Sequence, residues 1–260
     1  MTTVDFAAFV EQLADVAADT ILPFFRTALR AEDKNAGGMF DPVTEADRAA
    51  EAAMRRLIQA TFPHHGIIGE EFGEVQSDAE YVWVLDPIDG TKAFISGMPV
   101  WGTLIGLSRF GEPVFGMMHQ PFTGERFAGD GGAAHYRGPG GERDLRVRPC
   151  ASLKDAIIYT TSPLLMKSAD RERFRRVEEL ARLSRYGGDC YGYCMLAAGQ
   201  IDLIMETELK PHDIMALIPI VTGAGGVMTT WENGPPQNAG RIVAAGDPRV
   251  HAAALELLNR

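Results

Sequence analysis

The residues Tyr81-Val82-Trp83-Val84-Leu85 form a compact apolar run that stops abruptly at Asp86-Pro87-Ile88-Asp89-Gly90-Thr91. A short run of β-branched and aromatic residues closed by turn residues reads as a strand buried on both faces. Such a strand needs cover on both sides, so the chain must fold in layers. The sudden change from apolar to acidic also places two carboxylates at an element end, where a rigid scaffold presents functional groups.

The elements expected around this strand are of two kinds. Phe6, Phe9, Val10, Leu13, Val16 and Ala17 have helical spacing, giving a first helix that ends near Pro23. Residues 35–42 form a loop of breakers. A second helix starts at Thr44 and carries Ala49, Ala53, Leu57 and Ile58, and Gly66–Gly69 is a strand. Residues 102–148 alternate short apolar runs with Gly, Pro and Asp turns, the pattern of an antiparallel sheet.

Further on, strands alternate with helices: strands at Ala156–Thr160, Ile201–Met205, Val227–Trp231 and Ile242–Ala245, helices at Asp170–Leu183, Asp213–Thr222 and through Leu258. The expectation is one compact α/β unit of two subdomains, residues 1–148 holding the acidic turn and 149–260 an α/β half packed on it.

Composition bounds the function. With 260 residues, 46% hydrophobic, the chain buries a full core, and its formal net charge of -10 leaves no basic face for nucleic acid or anionic membranes. An acidic protein still binds a phosphate if metal ions invert the local field. Three cysteines, Cys150, Cys190 and Cys194, make no disulfide framework and fit a reducing cytoplasm. Acids at positions 5, 11, 15 and 19 speak against a signal peptide, and no apolar run reaches the ~18–20 residues of a membrane span.

Acids recur at element ends: Asp41 and Asp47, Glu70 and Glu71, Asp86 and Asp89, Glu206, and Asp213. Two carboxylates facing one point at ~4 Å repel by roughly 4 kcal/mol at an effective dielectric of about 20. A hard divalent cation offsets that, and Mg²⁺ takes oxygen ligands. Gly90 and Thr91 open what reads as a helix, whose free N–H groups suit a phosphate. Each acid has a plainer reading too. Asp-Pro-x-Asp-Gly is an ordinary turn, Thr44-x-x-Asp47 a capping pair, Glu70-Glu71 a solvated loop, and Asp213 a cap. All of them in this order is a much rarer coincidence than any one.

Other chemistries lack their residues. There is no Gly-x-x-x-x-Gly-Lys-Ser/Thr loop, no His-Glu-x-x-His helix and no Gly-x-Ser-x-Gly elbow. Cys190 and Cys194, on a helix, and Met117-Met118 read as core, and His64 and His65 as surface.

These motifs resemble the inositol monophosphatase superfamily. Asp41-Pro-Val-Thr-Glu-Ala-Asp47, Gly69-Glu70-Glu71, Val84-Leu85-Asp86-Pro-Ile-Asp-Gly-Thr91, His212-Asp213-Ile-Met-Ala216 and Ala224-Gly-Gly226 stand in the family's order along nearly the whole chain. The resemblance implies a layered αβαβα sandwich, a homodimer, and two or three Mg²⁺ per site. It implies metal ligation by Glu70, Asp86, Asp89, Asp213 and the Ile88 carbonyl, and phosphate binding by the Gly90 and Thr91 N–H groups. Thr91, supported by Asp47 and acting with Glu70, would position the metal-bound water that attacks phosphorus in line. His212 departs from the Trp found before the distal Asp in many inositol phosphatases, which changes the pocket wall.

Within the superfamily the chain is similar to the histidinol-phosphatase branch, through Ala93–Thr103, Gly187-Gly188-Asp189-Cys-Tyr-Gly-Tyr-Cys194 and Leu209–Asp213. By motif position Gly188, Asp189 and Glu206 would lie beside the substrate, and two carboxylates suit the amine and imidazole of histidinol phosphate. The expected activity is hydrolysis of L-histidinol phosphate, with inositol 1-phosphate as the alternative. A non-catalytic partnership with the transcription machinery is a distant third, because a binding module has no use for self-repelling acids.

Overall fold

The structure is a computed structural model that describes residues 6–27, 32–33 and 42–260. Asp5, Asp41 and the breaker-rich segment expected at 35–42, apart from Pro42, lie outside the described residues. In chain order the helices are α1 (Phe6–Ile21), α2 (Glu45–Thr61), α3 (Thr91–Ile95), α4 (Ser168–Glu178), α5 (Asp189–Ala197), α6 (Pro211–Ile214), α7 (Leu217–Gly223) and α8 (Pro248–Leu258). A short ladder pairs β1 (Glu32–Asp33) with β2 (Pro42–Val43). The first large sheet uses β3 (Gly66–Gly69), β4 (Gly73–Val75), β5 (Tyr81–Asp89), β6 (Gly102–Arg109), β7 (Glu112–Gln120), β8 (Glu125–Gly129), β9 (Ala134–Gly138) and β10 (Gly141–Asp144). The second uses β11 (Ile157–Thr160), β12 (Leu183–Tyr186), β13 (Leu203–Leu209), β14 (Val227–Thr230) and β15 (Gly240–Ala245).

The first sheet runs β10-β9-β8-β7-β6-β5-β3-β4 and the second β12-β11-β13-β15-β14. Helices α1 and α2 cover the outer face of the first sheet, α5 and α7 fill the space between the sheets, and α4 and α8 cover the second. The result is the five-layer αβαβα sandwich expected from the resemblance.

Strand β5 is buried from Val82 through Ile88. Its side chains divide by the period of two: Trp83 and Leu85 enter the core under α1 and α2, while Val84 enters the core between the sheets. Helix α7 lies directly on the first sheet because that sheet carries glycine there. A Cβ on Gly116 would stand 1.9 Å from the Ala216 carbonyl oxygen, and one on Gly129 2.4 Å from that of Pro219.

Several boundaries differ from expectation. The charged helix ends at Glu178, and Leu183 opens an edge strand instead. The helix expected at 213–222 is two pieces, α6 and α7. On α2 the buried stripe is Ala46, Ala50, Met54 and Ile58 with Asp47, Glu51 and Arg55 beside it, rotated from the Ala49–Ala53–Leu57 face. Glu51 and Arg55 form an internal ion pair four residues apart, 2.7 Å between Nε and Oε1, so their charges do not mark the solvent side. His65 is not a free surface residue. Its ring stacks on Phe62 at 4.6 Å and its Nδ1 accepts from the Trp83 indole at 3.1 Å. Burial holds its pKa below the ordinary value.

Candidate active site

Asp86 and Asp89 are three residues apart, so a regular strand would point them to opposite faces. The pairing of β5 with β6 prevents this: Asp86 stands opposite Leu104 and Asp89 opposite Gly102, so β5 carries one extra residue. That bulge returns Asp89 to the side of Asp86. The Ile88 amide donates to Asp86 Oδ1 at 3.1 Å, and the Thr103 hydroxyl donates to the Pro87 carbonyl at 2.8 Å, pinning the bulged turn.

Glu70 arrives from the parallel neighbour. Gly69 is in register with Leu85, and the Glu70 amide donates to the Leu85 carbonyl at 3.2 Å, so Glu70 emerges level with Asp86. The segment that follows is held from α2. Fully buried Glu51 accepts the Glu71 amide at 2.7 Å and the Phe72 amide at 3.1 Å, while Arg55 donates to the Gly73 carbonyl. Gly69 is needed here, because a Cβ would stand 2.0 Å from Glu51 Oε1.

Asp47 and Asp213 share one device. Asp47 Oδ2 accepts the amide and hydroxyl of Thr44 and closes the capping box of α2. Its Oδ1 is buried and has no hydrogen-bond partner among the described residues. Asp213 Oδ2 likewise accepts the Lys210 amide at 2.7 Å, capping α6, and α6 packs on β5. The capping bonds use one oxygen of each acid and so leave the second oxygen compatible with the site reading.

The ligand atoms of Asp86, Asp89 and Asp213 lie within 4.8 Å of one another, and so do those of Glu70, Asp86 and His212. Burial pushes the Asp86 carboxyl well above its ordinary range, with Glu70, Asp89 and Asp213 adding repulsion. Asp89 is pushed up by burial and by Asp189 and Asp213, and Asp213 by burial despite His212 beside it. Asp47 rises to about 6, mainly through burial. Converging acids that resist ionising, with an inward oxygen lacking a partner, fit divalent metal ions held chiefly by oxygen.

The remaining expected residues sit around this cluster. The Thr91 hydroxyl donates to the Ile88 carbonyl at 3.1 Å. Gly90 caps the five-residue α3 with φ 83°, a left-handed conformation that suits glycine. Asp189 packs against it, its Cβ and Cγ 3.1 Å from where a Gly90 Cβ would be. Asp189 itself has φ 42°, a strained setting at the first turn of α5. Burial lifts its carboxyl to about 6 although Lys92 opposes the shift. Gly188 is required where it stands, since a Cβ would meet the Tyr159 ring at 2.8 Å.

A cavity of about 700 Å³ opens beside the carboxylate cluster, lined by Lys92, Tyr159, Arg185, Gly188, Asp189 and Tyr191 among others. Glu70, Asp86, Asp89, Asp213 and Glu206 are not in its lining, so cavity and cluster are neighbours that meet at Asp189. Glu206 is buried and accepts from the Thr160 hydroxyl and from the Thr161 amide and hydroxyl at 3.2, 2.6 and 3.0 Å. Its carboxyl is lifted to about 7 by burial.

Four residues around the cluster, Glu51, Arg55, Lys92 and His212, were not among those expected from the sequence. Glu51 and Arg55 carry a readable signal, an acid and a base four apart on a helix one turn beyond Asp47. Lys92 has no signal beyond its place after Thr91. His212 stood out only as a departure from Trp, not as a possible ligand.

Cys190 and Cys194 are buried, and Met117 and Met118 are core, as their patterns suggested. Among the described residues, no helix is long and apolar enough to cross a membrane.

Known proteins share this architecture and sequence. The chain is 41% identical to "Bifunctional phosphatase IMPL2, chloroplastic" of Arabidopsis thaliana, over 98% of this chain and 75% of that protein. It is 36% identical to a histidinol-phosphatase of Streptomyces coelicolor, over 95% of this chain and 94% of that one. The solved structure of an inositol monophosphatase from Zymomonas mobilis superposes with a TM-score of 0.87 at 40% identity, covering 99% of this chain and 100% of that chain. The sequence pattern of the inositol monophosphatase family matches residues 3–260. On that match, and on phosphatase relatives that run nearly its full length, the chain belongs to the inositol monophosphatase family and is a phosphoric monoester hydrolase.

Proposed function

We propose that this phosphatase hydrolyses L-histidinol phosphate to L-histidinol and phosphate, as a cytoplasmic homodimer using two or three Mg²⁺. The observation that carries this reading is Asp189. It is a carboxylate on the wall of an aromatic-lined cavity, next to the turn that bears Gly90, and its backbone is strained into place. A cationic amine on the substrate would add a charged partner to the Thr161 hydrogen bond and the nearby Lys92, and favour the ionised form of that carboxylate. Tyr159 and Tyr191 offer flat surfaces for an imidazole. The similarity to histidinol-phosphatases supports the same choice.

Glu70, Asp86, Asp89, Asp213 and the Ile88 carbonyl would hold the ions. When bound, Mg²⁺ supplies Lewis acidity and a nucleophilic water at neutral pH. The chain's own part is placement. The Gly90 and Thr91 N–H groups hold the phosphate at the end of β5. The Thr91 hydroxyl, fixed on Ile88, and Glu70 orient the attacking water on the side away from the leaving alcohol. Asp47 keeps the start of α2 and its inward oxygen beside Glu70. Nothing in this scheme forms a covalent phosphoenzyme.

Inositol 1-phosphate is the second reading, favoured by the similarity to the Zymomonas mobilis inositol monophosphatase. Phosphate release from both esters, side by side, with Mg²⁺ and with chelator, separates them. Preference for histidinol phosphate that shrinks at least about tenfold in Asp189→Asn supports the proposal. An unchanged preference removes Asp189 from it, and preference for the inositol ester replaces the substrate.

A further inference from the structure

The two ligand groups of the cluster differ in kind. Asp86, Asp89 and Asp213 offer only oxygen, whereas Glu70, Asp86 and His212 offer two carboxylates and an imidazole nitrogen, all within 4.8 Å of one another. Asp86 belongs to both, so the groups are two ends of one centre.

His212 is held in place for such a part. It is 9% exposed and lies on α6 between Pro211, at the start of the helix, and Asp213, whose cap onto Lys210 fixes the turn. Its Nε2 is 3.5 Å from Asp213 Oδ1, too long for a hydrogen bond, so that contact does not commit the ring to its neighbour. Adjacent helical residues point about 100° apart. Asp213 therefore reaches the Asp86–Asp89 end while His212 reaches the Glu70 end.

We propose that His212 is a metal ligand, and that the centre has an all-oxygen position and a mixed position of Glu70, Asp86 and His212. This rests on the metal-dependent reading above. Imidazole suits borderline ions such as Zn²⁺ and Co²⁺ better than Mg²⁺. The mixed position therefore takes such ions more tightly than carboxylates alone would, and the all-oxygen position keeps the preference for hard cations.

The test uses the full chain, freed of metal by chelator and reloaded with Mn²⁺ to one and then two or more equivalents. Electron spin-echo modulation reads nitrogen next to the ion directly, without turnover. The expected result is ¹⁴N modulation from imidazole in the loaded protein, lost in His212→Gln and His212→Phe. Zn²⁺ affinity at one position should weaken about tenfold or more in the same variants, with the other position little changed.

Bound Mn²⁺ without nitrogen modulation, or modulation that survives both substitutions, overturns the ligand assignment and leaves the metal reading intact. No binding of Mn²⁺ at all overturns both. Should the variants fail to fold, absence of modulation in the unaltered protein still decides against the proposal.

Discussion

The Cys190 amide donates to Asp89 Oδ2 at 2.7 Å across 101 residues of sequence. This bond joins the bulged end of β5 to the first turn of α5, and so links the two sheets at the centre of the site. It also spends one of the Asp89 oxygens on orientation, and on the proposed function the same carboxylate would serve as a metal ligand.

Asp86→Asn separates the chemistry from the fold. The acid is 2% exposed and repelled by Glu70, Asp89 and Asp213, so neutralising it relieves the metal-free protein. The thermal midpoint in chelator should rise by a few degrees, for a gain of about 1 kcal/mol. Stabilisation by added Mg²⁺ should shrink, and kcat/KM should fall to about a thousandth or less. Differential scanning fluorimetry with and without Mg²⁺, alongside phosphate release, measures all three.

Stability of the metal-free protein should fall as pH rises. Asp47 and Asp189 are lifted from 3.8 to about 6, and Glu206 from 4.5 to about 7. Between about pH 4 and 7 the folded protein therefore holds protons that the unfolded chain has released, and raising the pH favours unfolding across that window. The expected thermal midpoint in chelator is lower at pH 8 than at pH 5.5. Added Mg²⁺ should flatten the difference, since a cation favours the ionised carboxylates.

Glu51→Gln removes one acceptor from a carboxylate that holds the Glu71 and Phe72 amides and Arg55. A stability loss of about 1–3 kcal/mol is expected, measured by urea unfolding. Glu51 acts through Glu70, so the Mg²⁺ concentration for half-maximal activity should rise about tenfold or more while substrate KM moves less. An unchanged Mg²⁺ requirement would make Glu51 a purely structural residue.

Gly90→Ala sets a side chain on a residue with φ 83° and 3.1 Å from Asp189. Backbone strain should cost about 1 kcal/mol of stability. Because Gly90 and Asp189 are pushed apart, kcat/KM should fall by more than that strain alone implies, about 10²-fold. Gly187→Ala is the control: its φ is 82° but it has open space around its Cβ position, so the strain is similar without the collision.

Much of this arrangement was legible in the sequence, and the exceptions have a common cause. Strand β5 and the acidic turn were readable because a run buried on both faces is apolar throughout. The capping reading of Asp47 and Asp213 competed with their expected active-site parts, Asp47 supporting Thr91 and Asp213 binding metal, because a carboxylate has two oxygens and each acid uses one for the helix end. Burial of Glu51 and Arg55 was hidden, since charges are ordinarily the mark of a solvated face and here they satisfy each other. The split between α6 and α7, the parallel edge strand at Leu183 and the bulge in β5 depend on partners distant in sequence. No local spacing reports those partners.

Glu70, Asp86 and Asp89 come from the first sheet, whereas His212 and Asp213 arrive with the helix that leads out of the second. On the proposed function, neither portion of the chain would therefore hold the whole centre. A molecule with only the first sheet formed would hold Glu70, Asp86 and Asp89 without Asp213, and on the proposed function such an incomplete ligand set would bind its ions weakly and leave esters untouched. Catalytic competence thus doubles as a certificate of complete folding. Two separately made fragments, cut near residue 148, would each be silent and would announce their correct reassembly by regaining activity.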